Sequence, residues 1–370
     1  MLFTLASIGG YSRNMRFGMN KIEWRPKGNP PQTDREWEEK YEDFKKFPEY
    51  MSRGQPTTLD QFKTMWKLNQ VGKILGPGTM FVHLLPMVYF LARGYMKGPM
   101  KKFCLIYSGL FAAIGLGGLY MDTKRPGQVE GEPMPPKDPY MKALHLGLIV
   151  TYFGYGFWMA LNLLRKGPDN VQSLDRYFGN MSLRKHLMST SHIIFPLVII
   201  TGALMAGFGA GRSIVTYPKM GDKWVPTSED LDKNSSFLEN MYSNPKILHF
   251  NHRTLGTLFT GIVALQWAFL MRSPLGFSGK LGFTILLTLF VGQIHFGSYM
   301  TTHRMQPEQT WMHVSNSYLI MATFLYLMHM CRKPNPAIIK KIVAQIKETN
   351  PNKYERLSLK YPKEMKNLPK

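Results

Sequence analysis

Ten histidines are spread along the 370-residue chain, and two of them stand where they could do chemistry together. His252 lies in "ILHFNHRTLGTLFTG" (247–261) and His313 in "TWMHVSNS" (310–317), each at the start of an apolar run. One further apolar run separates them, so the two helices that they open run in the same direction and hold both imidazoles at similar depth. Two neutral imidazoles approaching from opposite sides are a standard way to hold six-coordinate heme iron inside a helical bundle. A lone histidine on an apolar face would read as a hydrogen-bonded core residue, and the matched pair argues against that. Zinc asks for three or four convergent ligands, a set that His249, His252, His303 and His313 do not assemble. Arg253 beside His252 is available for a heme propionate, and Gln293 lies on the intervening helix. A charge at the mouth of a membrane-crossing helix is costly enough to mark a functional site.

The elements that must position these residues are long and apolar. Hydrophobic residues make up 44% of the chain and the mean hydropathy is -0.19, but they are clumped rather than dispersed. Runs near the roughly 20 residues that cross a bilayer fall at 74–92, 103–121, 141–164, 187–210, 250–271, 279–300 and 312–331. The opening "MLFTLASIGG" reads as a truncated or re-entrant first helix, with neither the basic start and cleavage site of a secretory signal nor the Arg- and Ser-rich pattern of a transit peptide. The polar segment 11–66 follows, and Trp37, Tyr41 and Phe44 recur within it at the spacing of a short amphipathic helix on the outer side. Cys104 and Cys331 fall inside apolar runs and are too few for a disulfide framework or a thiolate metal site, so they read as two buried small hydrophobes.

The net charge of +22 would suit nucleic acid, but its placement points to a membrane. The segments 92–102, 164–185, 272–280 and the tail after 331 hold 22 of the 46 Lys and Arg, whereas 122–142 and 211–246 are close to balanced. That alternation follows the positive-inside rule and sets the basic segments and the C-terminus on the inner side. The Lys-rich tail 332–370 is either a solvated helix and tail or a contact for anionic lipid or a protein.

The chain also repeats itself. "VGKILG" (71–76) aligns with "NHRTLG" (251–256), "GGLYMDT" (117–123) with "FGSYMTT" (296–302), and "ALHLG" (143–147) with "WMHVS" (311–315). Three matches in the same order predict a duplication. The expected fold is an all-α polytopic membrane protein of two similar four-helix halves, eight helices with the first truncated. Its parts are the stub 1–10, the outer segment 11–66, a first half over 67–166, a second over 183–331 and the basic tail.

"YPKMGDKWVP" (217–226), "HFNHRTLG", and "GQIHFGSYM" followed by "HVSNS" resemble the second half of heme A synthase, the membrane enzyme that oxidises the C8 methyl of heme O to a formyl group. "GNPPQTDREWEEKYEDFKKFPEY" and "GLYMD…ALHLG" resemble its first half, and the likeness spans about 5–331. The resemblance implies a cofactor heme b in the second half, held by His252 and His313, and a substrate heme in the first, where His145 matches one ligand. The family pattern there has a glutamate, two residues and then His-Arg. This chain has "NQVGK", with Asn69 in place of the acid, Gly72 in place of the histidine and only Lys73 keeping the charge. Ile114 stands where the third helix should carry a glutamine, although Gln293 is kept in the second half. His83 lies 11 positions beyond Gly72 and so about 16 Å deeper, too far to replace it, and His192 reads as core packing.

Asparagine can orient a group but cannot take its proton. The resemblance therefore implies a heme b-binding protein of the mitochondrial inner membrane, with its C-terminus on the matrix side and degenerate catalysis. A second heme in the first half is doubtful. Its role would be that of an accessory subunit or assembly factor of a respiratory complex, cytochrome c oxidase, with the bilayer and assembly proteins as partners and no nucleic acid. The alternatives are an active heme A synthase and a heme or small-molecule transporter.

Overall fold

The computed structural model describes residues 31–46, 50, 58–123, 138–164, 173–191, 193–305, 307–366 and 368. Within helix 59–92 nothing is described for the side chains of Asn69, Gly72 and Lys73. The stub 1–10, His192 and most of the 122–138 and 164–173 connections lie outside the described residues.

These residues form helices: α1 (Asp34–Lys45), α2 (Leu59–Ala92), α3 (Gly98–Thr123), α4 (Pro139–Leu164), α5 (Leu174–Ser191), α6 (Ile194–Phe208), α7 (Phe237–Ser243), α8 (Pro245–Met271), α9 (Phe277–Thr302), α10 (Pro307–Met330), α11 (Pro336–Thr349), α12 (Pro351–Lys360) and α13 (Pro362–Lys366). No strand occurs among the described residues, where the nearest approach to one is an isolated bridge between Met220 and Lys223. Five stretches are long and apolar enough to cross a membrane: Gly98–Met121, Pro139–Leu164, Leu174–Phe208, Pro245–Met271 and Phe277–Thr302. Leu105, Leu116, Leu265 and Phe269 on these helices are exposed, as side chains facing lipid must be. The all-α polytopic membrane fold expected from the clumped apolar residues is thus the fold observed. Two of the seven expected runs are helical but fall outside the five: α2, whose strongly apolar part is Phe81–Ala92, and α10.

The residues divide into two compact units. One comprises Met1–Phe153, Ile199–Arg253 and His295–Ser315, the other Gly154–Val198, Thr254–Ile294 and Asn316–Lys370. In the first, Thr33 caps α1 by accepting from Glu36 N, and Thr58 and Gln61 form a capping box that starts α2 well ahead of the apolar run at 74. The α1 residues Trp37 and Phe44 bury against Phe62 and Trp66 of α2, with Trp37 edge-on to Trp66 at 5.3 Å and Phe44 stacked on Phe62 at 5.2 Å. The helical aromatic spacing read from the sequence is this contact face. Gly209 ends α6 with φ +65°, a left-handed stop that costs glycine little.

In the second unit the apolar residues recur at helical spacing and meet in one core: Leu183 and Leu187 of α5, Phe259 and Val263 of α8, Phe283, Leu286 and Phe290 of α9, and Ile320, Phe324 and Leu327 of α10. Cys331 belongs to this core and Cys104 is buried in the first unit, both as free thiols, as expected. The basic tail is folded. Leu357 of α12 buries against Leu174 and Phe178 of α5, joined by Ile342, Val343 and Ile346 of α11. Its lysines therefore point outward because the apolar face of α11 and α12 is committed to α5.

Replacing Trp37 by alanine removes the largest ring that α1 brings to the α1–α2 contact, a loss of roughly 3–5 kcal/mol for a buried aromatic. Trp37→Ala is expected to expose Arg35 and Lys40 on α1 to trypsin while the circular-dichroism helix signal changes little; unchanged tryptic resistance would contradict the docking described.

Candidate functional site

The site is built where α8 begins. Ser236 accepts from Glu239 N to start α7, and Asn244 closes that helix and accepts from Lys246 N at 3.0 Å to open α8 at Pro245. This Asn-Pro start places His249 and His252 on the first two turns. His249 is 3% exposed, and its Nδ1 has no hydrogen-bond partner among the described residues.

His252 and His313 face each other with ring centroids 6.5 Å apart and planes at 72°. Each ring rests on a glycine of a neighbouring helix. A Cβ on Gly202 of α6 would come 3.0 Å from His252 Cε1 and 3.5 Å from Nδ1, and one on Gly297 of α9 would come 3.1 Å from His313 Cε1 and 3.3 Å from Nδ1. In both rings the Nδ1–Cε1 edge is therefore the one laid against the helix. Thr201 Oγ1 lies 3.1 Å from His252 Nδ1. These close approaches use the absence of a side chain at Gly202 and Gly297, since a methyl at that distance would push the ring aside.

Arg253 is engaged with the loop after α6. It donates from Nη2 to the Thr216 carbonyl at 2.8 Å and from Nη1 to those of Pro218 and Lys219 at 3.3 Å, and it stacks over the Tyr217 ring at 5.4 Å. The cation expected to meet a propionate thus gathers the carbonyls of "TYPK". The same loop is tied to α8 at a second point, Asp230. Its carboxylate accepts from Thr227 N at 3.0 Å and from Lys246 Nζ at 3.0 Å. The Thr227 amide first, then the Lys246 ammonium, hold its pKa down to about 2 against partial burial.

His145 of α4 is placed differently. Its Nε2 lies 3.1 Å from the Ile114 carbonyl, and Cβ atoms on Gly117 and Gly118 would meet its Cδ2 at 3.5 Å and its Nε2 at 3.6 Å. A carbonyl only accepts, so Nε2 here carries the proton and has no lone pair to offer a metal. The alignment that equates Gly118 with Gly297 and His145 with His313 is matched by two glycine–imidazole contacts, but opposite ring edges face the glycine. His83 Nε2 pairs with Ser108 Oγ at 3.0 Å, and its ring meets Tyr107 edge-on at 4.6 Å. Ser108 and Ile114 are six residues apart on α3, about 9 Å of helix, so His83 and His145 lie at different levels. Gln293, in the second unit, accepts from Asn316 Nδ2 at 2.7 Å. Asn69, Gly72 and Lys73 are all carried on α2. The sequence reading missed Thr201, Gly202, Gly297 and Asn316; of these, only Gly297 had a signal, its alignment with Gly118.

Among the described residues no three His, Cys, Asp or Glu side chains cluster to hold a metal. What the fold defines is a polytopic helical membrane protein with a facing histidine pair. The sequence model of the cytochrome oxidase assembly protein family, COX15-CtaA, matches residues 1–344, and this chain belongs to that family. Heme A synthase COX15 of Homo sapiens is 29% identical over 332 residues, 88% of this chain and 78% of that protein. The Arabidopsis thaliana protein of the same name is 27% identical over 357 residues, 94% and 76% of the two chains. Heme A synthase of Nitrosospira multiformis is 25% identical over 336 residues, 90% and 91%. No solved structure matches the chain.

Because Asp230 has a depressed pKa, its contribution to holding the loop is present above the unfolded carboxylate range near 4 and is lost as pH falls toward about 2. Asp230→Asn is expected to speed amide exchange of the 216–231 loop about fivefold at pH 7, with the difference closing between pH 4 and pH 2. Equal exchange at neutral pH would contradict this.

Proposed function

We propose that this chain binds one heme b, which His252 and His313 would hold, and has lost the catalysis of its first half. The facing pair carries the reading. A metal–imidazole bond of about 2 Å, with the nitrogen about 1.1 Å from its ring centre, puts two rings that share one iron about 6.3 Å apart; the observed separation is 6.5 Å. With two protein donors and no third clustered with them among the described residues, the metal must bring its remaining ligands with it, as a porphyrin does. The glycine seats agree: a Cβ on Gly297 would meet only Cε1 and Nδ1 of His313, and one on Gly202 would lie nearest Cε1 of His252 and farthest, at 3.8 Å, from its Nε2. A heme bound there would supply one-electron transfer. The protein's part is to hold the two imidazoles and exclude water. Arg253 adds positive charge at that end of α8 for a propionate.

The first half supports the loss. Asn69 cannot take a proton, Gly72 offers no ligand, and His145 spends Nε2 on a carbonyl, which leaves Lys73 and a residual His145 as the remnants of a site. On this reading the protein is a multi-pass component of the mitochondrial inner membrane with its tail in the matrix. It serves cytochrome c oxidase as an accessory subunit or assembly factor, with the outward lysines of α11 and α12 as a docking face.

A second reading, an active heme A synthase, is favoured by the names of the relatives, which match most of the chain. Pyridine hemochrome analysis of the purified protein is expected to show about one heme b per chain, abolished in His252→Ala; a heme-free preparation would sink the proposal. Expression in a strain lacking heme A synthase is expected to leave heme A absent, and restored heme A would establish the second reading instead.

A further inference from the structure

Thr201 and Gly202 are consecutive residues of α6, and they meet adjacent atoms of one imidazole. The threonine hydroxyl lies 3.1 Å from His252 Nδ1, and the glycine lets α6 come within 3.0 Å of Cε1, measured from where a Cβ would stand. Together they set both the position of the ring and its rotation about its own axis. His313 also packs on a glycine, but the residue before Gly297 is Phe296, which has no hydroxyl to meet Nδ1 as Thr201 does beside Gly202. The Thr201 contact is therefore particular to His252.

A neutral imidazole has one N–H and one lone pair, and a hydroxyl can accept a hydrogen bond while donating elsewhere. With Nδ1–H donating to Thr201 Oγ1, the lone pair is fixed on Nε2, the nitrogen a metal takes. An outward hydrogen bond of this kind orients a ligating histidine and raises its basicity. Resting on the heme reading above, we infer that Thr201 is the positioning residue of His252, selecting its tautomer and strengthening it as a donor to ferric iron.

The test uses the full-length protein in detergent, wild type against Thr201→Val, which keeps the shape and removes the hydroxyl, and Thr201→Ser, which keeps the hydroxyl. Thr288→Val on α9, whose hydroxyl bonds only within its own helix, is the control. Hemin titration of the heme-depleted proteins is expected to show affinity falling about 10- to 100-fold in Thr201→Val, with Thr201→Ser and Thr288→Val near wild type. Redox titration of the loaded proteins should place the midpoint potential of Thr201→Val above wild type, because a weaker donor stabilises ferric iron less. If Thr201→Val loads poorly, a ligand-field change in its ferric low-spin spectrum still reports the lost bond on the fraction that holds heme. Heme-loaded Thr201→Val with wild-type affinity, potential and spectrum would overturn this inference alone. A wild-type protein that takes up no heme would overturn the proposed function and this inference with it.

Discussion

The arrangement of the site depends on how closely a helix backbone can approach an imidazole. At Gly202 and Gly297 the missing side chain lets α6 and α9 lie against His252 and His313, where a methyl group would stand 3.0 and 3.1 Å from the rings. Ordinary van der Waals contact would need several tenths of an ångström more. Pressed from behind, the two rings meet at 6.5 Å, a separation suited to one shared metal. The glycines thus act through steric access rather than backbone flexibility, since both lie inside regular helix.

A second constraint follows from placing charge near lipid. Arg253 follows His252 directly, and burial with no carboxylate partner would be expensive. The fold meets that cost with carbonyls: Thr216, Pro218 and Lys219 turn theirs toward the guanidinium, and Tyr217 covers its face. Asp230 anchors the same loop through Lys246 on the first turn of α8. Loop and helix entrance are therefore one electrostatic unit, which explains why the connection 209–236, with little regular structure, is so densely hydrogen-bonded.

The two histidines that the internal alignment equates each pack on a glycine but do so with different chemistry. His145 and His313 both pack on a glycine, but His145 turns Nε2 toward the Ile114 carbonyl while His313 turns its Nδ1–Cε1 edge toward Gly297. The His145 ring is thus held by the backbone of α3, through the Ile114 carbonyl.

By itself the sequence determined the class of fold and the identity of the histidine pair. Clumped apolar runs leave a chain no soluble alternative, because backbone polar groups in lipid must be satisfied within helices, and Trp37, Tyr41 and Phe44 announced the α1 contact by their spacing alone. The basic tail was legible only as charge, since its packing on Leu174 and Phe178 depends on partners more than 160 residues away. Thr201, Gly202 and the role of Arg253 were not legible at all. A threonine or a glycine in an apolar helix has many uses, and an arginine at a helix mouth does not say whether it will find a ligand or a carbonyl. Residue type fixes what a side chain can donate, accept or leave room for; only the tertiary structure, by setting which ring edge meets which backbone, decided what each one does.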